Sequence, residues 1–300
     1  MTKRTFQDLA AALLLAAATA GLVSAQGADA KAATLVAKLR QALGGESKLA
    51  LIKSLSLEAD MRRVLPAQGS EPGPEMSGDI AIDIGDNAHY LFVDSFSPMA
   101  GMPQISLGSA IDGESAWTGP LSAPSGNVMI RTPSGGDPAL LRTRFERDLT
   151  RIYVALLAGT GREGIEFTYS GIADSPEGRA EVLDVKGPGG FKGKLFLDEK
   201  TSRPMMVVYS EAPRRMVMQR GGPGAGGGHG EGPAGAPVTA APPTPELKEA
   251  QMFLSDYKPE GGVSFPRSIT IKIQDGPTEE WTVQKIKVNP TFPADHFKKR

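Results

Sequence analysis

Cysteine is absent from all 300 residues of the chain. This absence excludes disulfide bonds, thiolate metal sites, cysteine nucleophiles and the acylated cysteine of a bacterial lipoprotein. The chain also has no large excess of positive or of negative charge, because it contains 33 Lys and Arg residues and 34 Asp and Glu residues. Without a basic surface to neutralise phosphates, we do not expect a nucleic-acid partner.

Aromatic residues are few, at 6% of the chain, whereas there are 36 Gly and 24 Pro residues. This balance favours many short strands and turns over a helical bundle. The hydrophobic content of 40% is nevertheless sufficient for a sizeable core.

The longest apolar run lies at the N-terminus, at residues 9 to 23, after Lys3 and Arg4. Small residues follow it up to Ala25, which predicts a signal peptide over residues 1–25 with cleavage near Ala25. An uncleaved membrane anchor is the alternative, but the run is shorter than the ~20 apolar residues that span a bilayer. We therefore expect a periplasmic protein that is not an integral membrane protein.

Two segments have helical periodicity. Residues 28 to 43 place apolar side chains on one face and end at Gly44 and Gly45, which suit a helix C-terminus. A midchain helix is predicted to begin at Asp137 and Pro138, which favour the N-cap and the first turn. Its arginines lie on other faces, which predicts a solvated surface rather than a membrane-binding one. They are Arg142, Arg147 and Arg151.

Elsewhere the period is two, which is typical of strands with one buried face. The segment "FLSDYKPEGGVSFPRSITIKIQDGPTEEWTVQKIKVNP" alone predicts three consecutive strands with a turn at Asp275 and Gly276. A slip of phase between Val283 and Ile286 predicts a bulge near Gln284, which would curve the sheet. The predicted fold is mainly β with α: a large curved antiparallel sheet of about ten to eleven strands, an open half-barrel covered by the N-terminal and midchain helices.

Residues 212 to 246 have a different composition, dominated by Gly, Pro and Ala. We predict a disordered insertion that joins two strands of a single domain over residues 26–300. Gly222, Gly224 and Gly227 match G-x-G-x-x-G, but no strand precedes them and no helix follows, so composition explains the match. His229, alone among glycines, is predicted to be solvated rather than bound to a metal.

No catalytic motif emerges from the histidines or the carboxylates. His89, His229 and His296 lie in unlike contexts, outside any recognisable triad or metal-binding helix motif. Glu279 and Glu280 are interpreted as marking a turn and a solvent-facing strand surface. We therefore predict a protein that is not an enzyme and that binds no cofactor and no metal.

The order of the elements resembles the periplasmic lipoprotein carrier superfamily, the LolA-like fold. The similarity rests on the N-terminal helix, on "GDIAIDI" at residues 78 to 84, on "IDGESAW" at residues 111 to 117 and on the midchain helix. The ending "VNPTFPADHF" is similar to the close of many LolA-like proteins, with Phe297 as a late anchor. The resemblance covers most of the chain after residue 25 and implies an open sheet that encloses a hydrophobic cargo.

One position departs from that superfamily. Its carriers typically have an Arg-Pro pair, whose arginine helps to hold the lid, where this chain has residues 83 to 86, "DIGD". Arg63 shares the phase of the apolar residues from Leu55 to Met61 and could be an inward-facing substitute. Arginines near strand ends usually reach solvent instead.

The predicted function is that of an exported noncatalytic binder or carrier of a hydrophobic ligand, a lipid or lipoprotein acyl chain, in the bacterial envelope. The alternative is an envelope protein–protein interaction or sensor module of the same fold with a filled core. The predicted ligand-binding residues are the apolar side chains on the inner faces of the sheet and the midchain helix. They are Leu55, Leu57, Met61, Ile80, Ile82, Ile84, Trp117, Leu141, Phe145, Leu149, Ile152, Phe265, Ile269, Ile271 and Ile273.

Overall fold

A computed structural model describes residues 29–67, 73–97, 103–121, 128–131, 137–175, 178–211, 217–220 and 247–299. The predicted signal peptide lies outside these residues. In the described part of the chain, no helix is both long and apolar enough to cross a bilayer.

Twelve antiparallel strands form one open sheet, in the order β5-β4-β3-β2-β1-β14-β13-β12-β10-β9-β8-β7. Most of these strands pair with their neighbours in the sequence, and β1 and β14 join the two halves. The twelve strands are β1 (Leu55–Val64), β2 (Glu75–Asp86), β3 (His89–Phe96), β4 (Ile105–Asp112), β5 (Ser115–Pro120), β7 (Glu166–Ser175), β8 (Gly178–Gly187), β9 (Phe191–Asp198), β10 (Pro204–Glu211), β12 (Lys248–Glu260), β13 (Val263–Ile273) and β14 (Thr278–Val288). This sheet confirms the predicted fold class, with slightly more strands than expected.

The inner face of the sheet follows the predicted alternation. Along β1, Leu55, Leu57, Ala59 and Met61 are buried, whereas Glu58 and the other alternate residues at the strand centre are exposed. A strand with side chains of period two can bury only one face, and this face forms the core. The three isoleucines of β2 at 80, 82 and 84 are buried on the same side.

The bulge predicted near Gln284 is confirmed. Glu58 pairs with Lys285 and the next residue, Ala59, pairs with Val283, so Gln284 has no partner across the ladder. An extra residue on one strand bends it and increases its twist. The bulge therefore lies at the junction of the two halves of the sheet, where curvature is needed.

Three α-helices accompany the sheet in the described part of the chain: α1 (29–43), α2 (Glu46–Ala50) and α3 (Pro138–Leu157). The prediction for α1 is confirmed, and Gly44 ends it with a φ of 137° that favours glycine. The predicted start of α3 is confirmed as well, because the Asp137 side chain accepts a hydrogen bond from the backbone N–H of Ala139. The short α2 was not predicted.

Helix α3 bridges the two flanks of the sheet, because it packs on β4 and β5 as well as on β9 and β10. Its 20 residues span about 30 Å, whereas β4 and β9 would be roughly 40 Å apart in a flat sheet at ~4.8 Å per strand. Contact with both flanks requires the sheet to curve. Hence α3 lies across the concave face, as predicted.

The arginines of α3 hold it in place, which corrects the prediction of a solvated surface. Arg142 donates to the carbonyl of Gly113 in the β4–β5 turn over 2.7 Å. Arg147 donates to the carbonyl of Gly189, in the 3-10 turn after β8, over 3.3 Å. A guanidinium carries five donors, so it can satisfy carbonyl groups at helix–sheet contacts while part of it stays solvated. Arg151 departs further from the prediction and belongs to the candidate site.

Strands β10 and β12, on either side of the predicted insertion, pair directly with each other, up to Glu211 and Lys248. Most of residues 212 to 246 lie outside the described residues. The structure describes residues 217–220 of this segment. They form β11 (Val217–Arg220), which pairs with β6 (Val128–Arg131) in a separate two-stranded sheet. At these four residues the chain is a strand, which the composition did not indicate.

Candidate functional site

A cavity of about 190 Å³ lies between α3 and one end of the curved sheet. It is lined by the C-terminal ends of β1 and β10, by Asp94 of β3, by Arg151 of α3, by Lys248 at the start of β12 and by the β13–β14 hairpin. Leu65, Ile271, Ile273 and Pro277 supply its apolar surface. Ligand pockets in proteins are usually larger, about 300–1,000 Å³, so this cavity has room for only part of a long ligand.

Arg63 is the first charged group of this site. Its register partner on β14 is Glu279, which in turn pairs with Ile271 on β13, so a charged pair lies within a row of apolar inward-facing residues. Arg63 Nε donates to Glu279 Oε1 over 2.9 Å, and Nη2 donates to Asp94 Oδ2 over 2.8 Å. Arg63 is only 3% exposed. The sequence left two positions open for Arg63, facing inward or reaching solvent, and in the structure it faces inward.

The pKa of Arg63 reflects these neighbours. Burial alone lowers the pKa of the guanidinium, but the negative charges of Glu279 and Asp94 outweigh burial and raise it above its ordinary value. Glu279 also accepts a hydrogen bond from the indole Nε1 of Trp281 over 3.2 Å. Because Glu279 is 7% exposed, the interpretation of a solvent-facing residue is wrong for it, whereas Glu280 is exposed as expected.

Arg151 is the second charged group, and it reaches the cavity from the opposite wall. It is 2% exposed, with Nη1 3.3 Å from Glu211 Oε2 and Nη2 3.7 Å from Asp148 Oδ1. Its guanidinium lies over the ring of Tyr209, 4.6 Å from the centroid. Burial lowers the pKa of Arg151, but Tyr209 and the two carboxylates outweigh burial and raise it. The predicted solvated position is wrong because these partners compensate the desolvated charge.

Each of the two arginines retains one buried N–H group without a hydrogen-bond partner in the described part of the chain. The nitrogens are Nη1 of Arg63 and Nε of Arg151. Buried donors are nearly always satisfied in native proteins, so such groups require an explanation. Both residues line the same cavity, but these two nitrogens are inaccessible to solvent and therefore do not face it.

The predicted ligand-binding residues form one cluster, with one exception. Leu141 and Ile273 are partly buried against the main core, and the others except Trp117 are buried within it. Only Ile271 and Ile273 of the predicted residues line the cavity. In this structure, most of the predicted residues therefore contact one another and fill the space between sheet and helices.

Trp117 lies in a second cluster, separate from the main core, with Leu91, Ala110 and Phe297. Its indole Nε1 donates to the backbone carbonyl of Phe297 over 2.8 Å. Phe297 is thus a late anchor for the C-terminal segment, as the sequence predicted.

Two of the three histidines fall in described segments, and each contacts a carboxylate. His296 Nε2 lies 2.8 Å from Asp83 Oδ2, and His89 Nδ1 lies 2.8 Å from Asp86 Oδ1. Within the described ranges, no group of three or more His, Asp or Glu side chains is arranged to hold a metal ion. His229 lies outside those ranges.

Comparison with family models and with curated proteins returns no match, whereas solved structures do match. One is a LolA superfamily protein from Nitrosomonas europaea, 10% identical with a TM-score of 0.44, covering 87% of this chain and 97% of that one. A second, described as an outer membrane lipoprotein-sorting protein domain from Vibrio parahaemolyticus, is 10% identical with a TM-score of 0.44 and covers 90% and 97%. A third, a DUF1329 family protein from Desulfovibrio piger, is 9% identical with a TM-score of 0.44 and covers 89% and 97%. The superfamily that the sequence resembles is thus among the structures found, while the identities and TM-scores carry no argument about function.

Proposed function

We propose that this chain is a noncatalytic binder or carrier of a hydrophobic ligand, such as a lipid or a lipoprotein acyl chain, in the bacterial envelope. One observation carries the proposal: a cavity with apolar surface opens between α3 and the concave face of the sheet, next to the main core. Burial of each CH₂ group contributes about 0.8 kcal/mol. A long acyl chain therefore offers on the order of 10 kcal/mol before the entropy of ordering it is subtracted.

The size of the cavity indicates how a long chain would enter. A cavity of about 190 Å³ accepts the first part of an acyl chain, and the remainder would enter between sheet and helices only if the core side chains moved apart. Ile82, for example, is 1% exposed in the present arrangement. We therefore expect most of the predicted ligand-binding residues of the core to contact the ligand only after the core side chains have moved apart. Leu65, Ile271 and Ile273, which line the cavity, would contact the first part of the acyl chain without such a movement.

An acyl-binding assay tests this function. We expect the purified chain to bind a fluorescent fatty-acyl probe and Ile273→Glu to weaken binding at least tenfold while it still folds, because Ile273 is only partly buried at the cavity wall. Lys272→Glu, on the exposed opposite face of β13, is the matched control and leaves probe affinity unchanged. A wild-type chain that binds no probe would contradict the proposal.

The second candidate function is that of a protein–protein interaction module with the same fold. Two observations favour it: side chains fill most of the core, and the sheet has two edge strands. Among the described strands, β5 and β7 each pair with one neighbour, so each presents an unpaired edge that a partner strand could extend. Native mass spectrometry of the protein purified from a bacterial envelope distinguishes the two. Copurifying lipid supports the carrier, and a lipid-free protein in complex with another protein supports the module.

A further inference from the structure

The inner end of the cavity coincides with one row of paired residues in the sheet. Arg63 of β1, Glu279 of β14 and Ile271 of β13 are register partners, and all three line the cavity. Toward the solvent, the lining continues with the next inward-facing residues, which are Leu65, Pro277 and Ile273. The mouth of the cavity lies at the tip of the β13–β14 hairpin, where the lining residues Gln274 and Asp275 are exposed.

The next row inward is closed. Met61, Trp281 and Ile269 occupy it, again as register partners, and none of the three lines the cavity. Each is only 2% exposed and belongs to the main core. Residues two positions apart on a strand are separated by about 7 Å. The row of Arg63, Glu279 and Ile271 is therefore the floor of a shallow cavity, and we call it the floor row.

Hydrogen bonds and ion pairs hold the floor row closed. Arg63 is paired with Glu279 and with Asp94, both over less than 3 Å. Glu279 also accepts a hydrogen bond from the indole of Trp281, so the floor row is bonded to the row beneath it. Separation of a buried ion pair costs far more than the burial of one methylene group returns. A ligand chain that has reached the floor row therefore gains nothing by pushing further into the core.

The other charged groups of the lining do not extend the cavity either. Arg151 and Glu211 form a second buried pair on the wall toward α3, 3.3 Å apart. Lys248 and Asp275 lie 3.7 Å apart at the mouth, and the Asp275 side chain is largely in solvent. The apolar surface is thus confined to the short stretch between the mouth and the floor row.

The volume of the cavity determines the length of chain that fits above the floor row. An engineered cavity of about 150 Å³ in another protein binds benzene, which corresponds to roughly 25 Å³ for each carbon atom. The cavity of about 190 Å³ in this chain therefore holds about eight carbon atoms.

We propose that the cavity binds a short apolar chain of about eight carbons, with its methyl end against the floor row and its polar end at the mouth. A longer chain leaves its additional methylene groups outside the cavity, where they contribute no affinity. The length at which affinity stops increasing is the length limit of the site. This inference rests on the proposed function, since it specifies the chain length of the hydrophobic ligand.

Titration with n-alkyl maltosides from hexyl to dodecyl tests the length limit, because their head group is uncharged and identical throughout the series. Each is titrated below its critical micelle concentration by isothermal titration calorimetry. We expect binding to tighten roughly fourfold for each methylene group up to octyl, and no further increase from decyl to dodecyl. A steady increase through dodecyl would overturn the length limit and leave the proposed function standing. Binding of the fatty-acyl probe but of no maltoside would also overturn the length limit alone, whereas binding of neither would overturn both.

Ile271→Ala distinguishes a length limit from a general effect on structure. The smaller side chain deepens the cavity at the floor row, so the length limit should move from octyl to about decyl. A general loss of packing would instead weaken the binding of every chain length alike. Lys272→Ala, at the neighbouring residue on the exposed face of β13, is the control and leaves the length limit at octyl.

A second variant covers the case in which Ile271→Ala does not fold, as judged by circular dichroism. Leu65→Ala enlarges the same cavity at a residue that is only partly buried, and the same series is titrated. A length limit that moves toward decyl in the folded variant supports the proposal. A length limit that stays at octyl contradicts it.

Discussion

Arg63 Nε lies 2.9 Å from Glu279 Oε1 across the β1–β14 ladder, and the adjacent pair, Arg62 and Glu280, repeats the contact at 3.1 Å. Successive side chains of a strand point to opposite faces, so the first pair lies in the core and the second in solvent. Each arginine has a second carboxylate partner, which is Asp94 for Arg63 and Glu75 for Arg62. The two sites therefore share their chemistry and differ mainly in burial.

Replacement of each arginine by methionine measures what burial adds. Arg63→Met leaves Asp94 and Glu279 buried without their cation, and we expect it to lower the free energy of unfolding by about 3–5 kcal/mol. Arg62→Met removes exposed ion pairs, and we expect a far smaller loss of free energy of unfolding because water screens these charges. Urea denaturation of both variants checks the difference. Similar losses for the two variants would show that the core pair is solvated.

Phe297 is expected to hold the C-terminal segment on the outer surface of the sheet. Its ring lies 5.4 Å from that of His89 and 5.2 Å from that of Phe292, and its carbonyl accepts from Trp117. Phe297→Ala should lower the free energy of unfolding by roughly 2–4 kcal/mol, somewhat less than for a central core phenylalanine. Urea denaturation followed by tryptophan fluorescence measures the change. Lys298→Ala, at the neighbouring exposed residue, is the control and should be nearly neutral.

Tyr257 should make the stability of the fold sensitive to alkaline pH. Burial raises the pKa of its hydroxyl, against a smaller lowering by Arg203, and the hydroxyl donates to the Pro204 carbonyl over 2.8 Å. Because the folded-state pKa lies above the unfolded value of about 10, this stabilisation is fully present below about pH 10 and is lost as pH rises toward the folded pKa.

The variant Tyr257→Phe isolates this effect. At neutral pH it should lose about 1 kcal/mol, the typical contribution of one hydrogen bond. The difference between wild type and variant should then shrink above about pH 10, as measured by chemical denaturation at several pH values. A difference that stays constant with pH would contradict the raised pKa.

The fold could be predicted from the sequence where one physical signal was sufficient. Alternation along β1 and β13 indicated the inner face, Asp137 indicated the start of α3, and a slip of phase located the bulge at Gln284. Each of these signals is local, since it depends on the preferred geometry of a few adjacent residues. Strands β6 and β11 have only four residues each, which is too short for a recognisable alternation of buried and exposed residues.

The charged part of the site could not be predicted in the same way. Glu279 has the phase of Trp281 and Val283, and that parity was an available signal for an inward position. Whether a carboxylate can occupy such a position depends on a partner distant in the sequence, here Arg63, 216 residues away. A buried charge is tolerated only when it is paired, and pairing of this kind is a property of the tertiary fold.

The last prediction concerns the segment between β10 and β12. Glu211 and Lys248 are register partners at the ends of these strands, so a shorter connection could join them without rearranging the sheet. Deletion of residues 221–243 retains β11 and its pairing with β6. The entropy of loop closure varies slowly with loop length, and the change should be less than about 1 kcal/mol. We therefore expect a melting temperature close to that of the full chain. A large decrease would mean that the deleted residues make stabilising contacts, and the prediction of an insertion outside the core would be wrong.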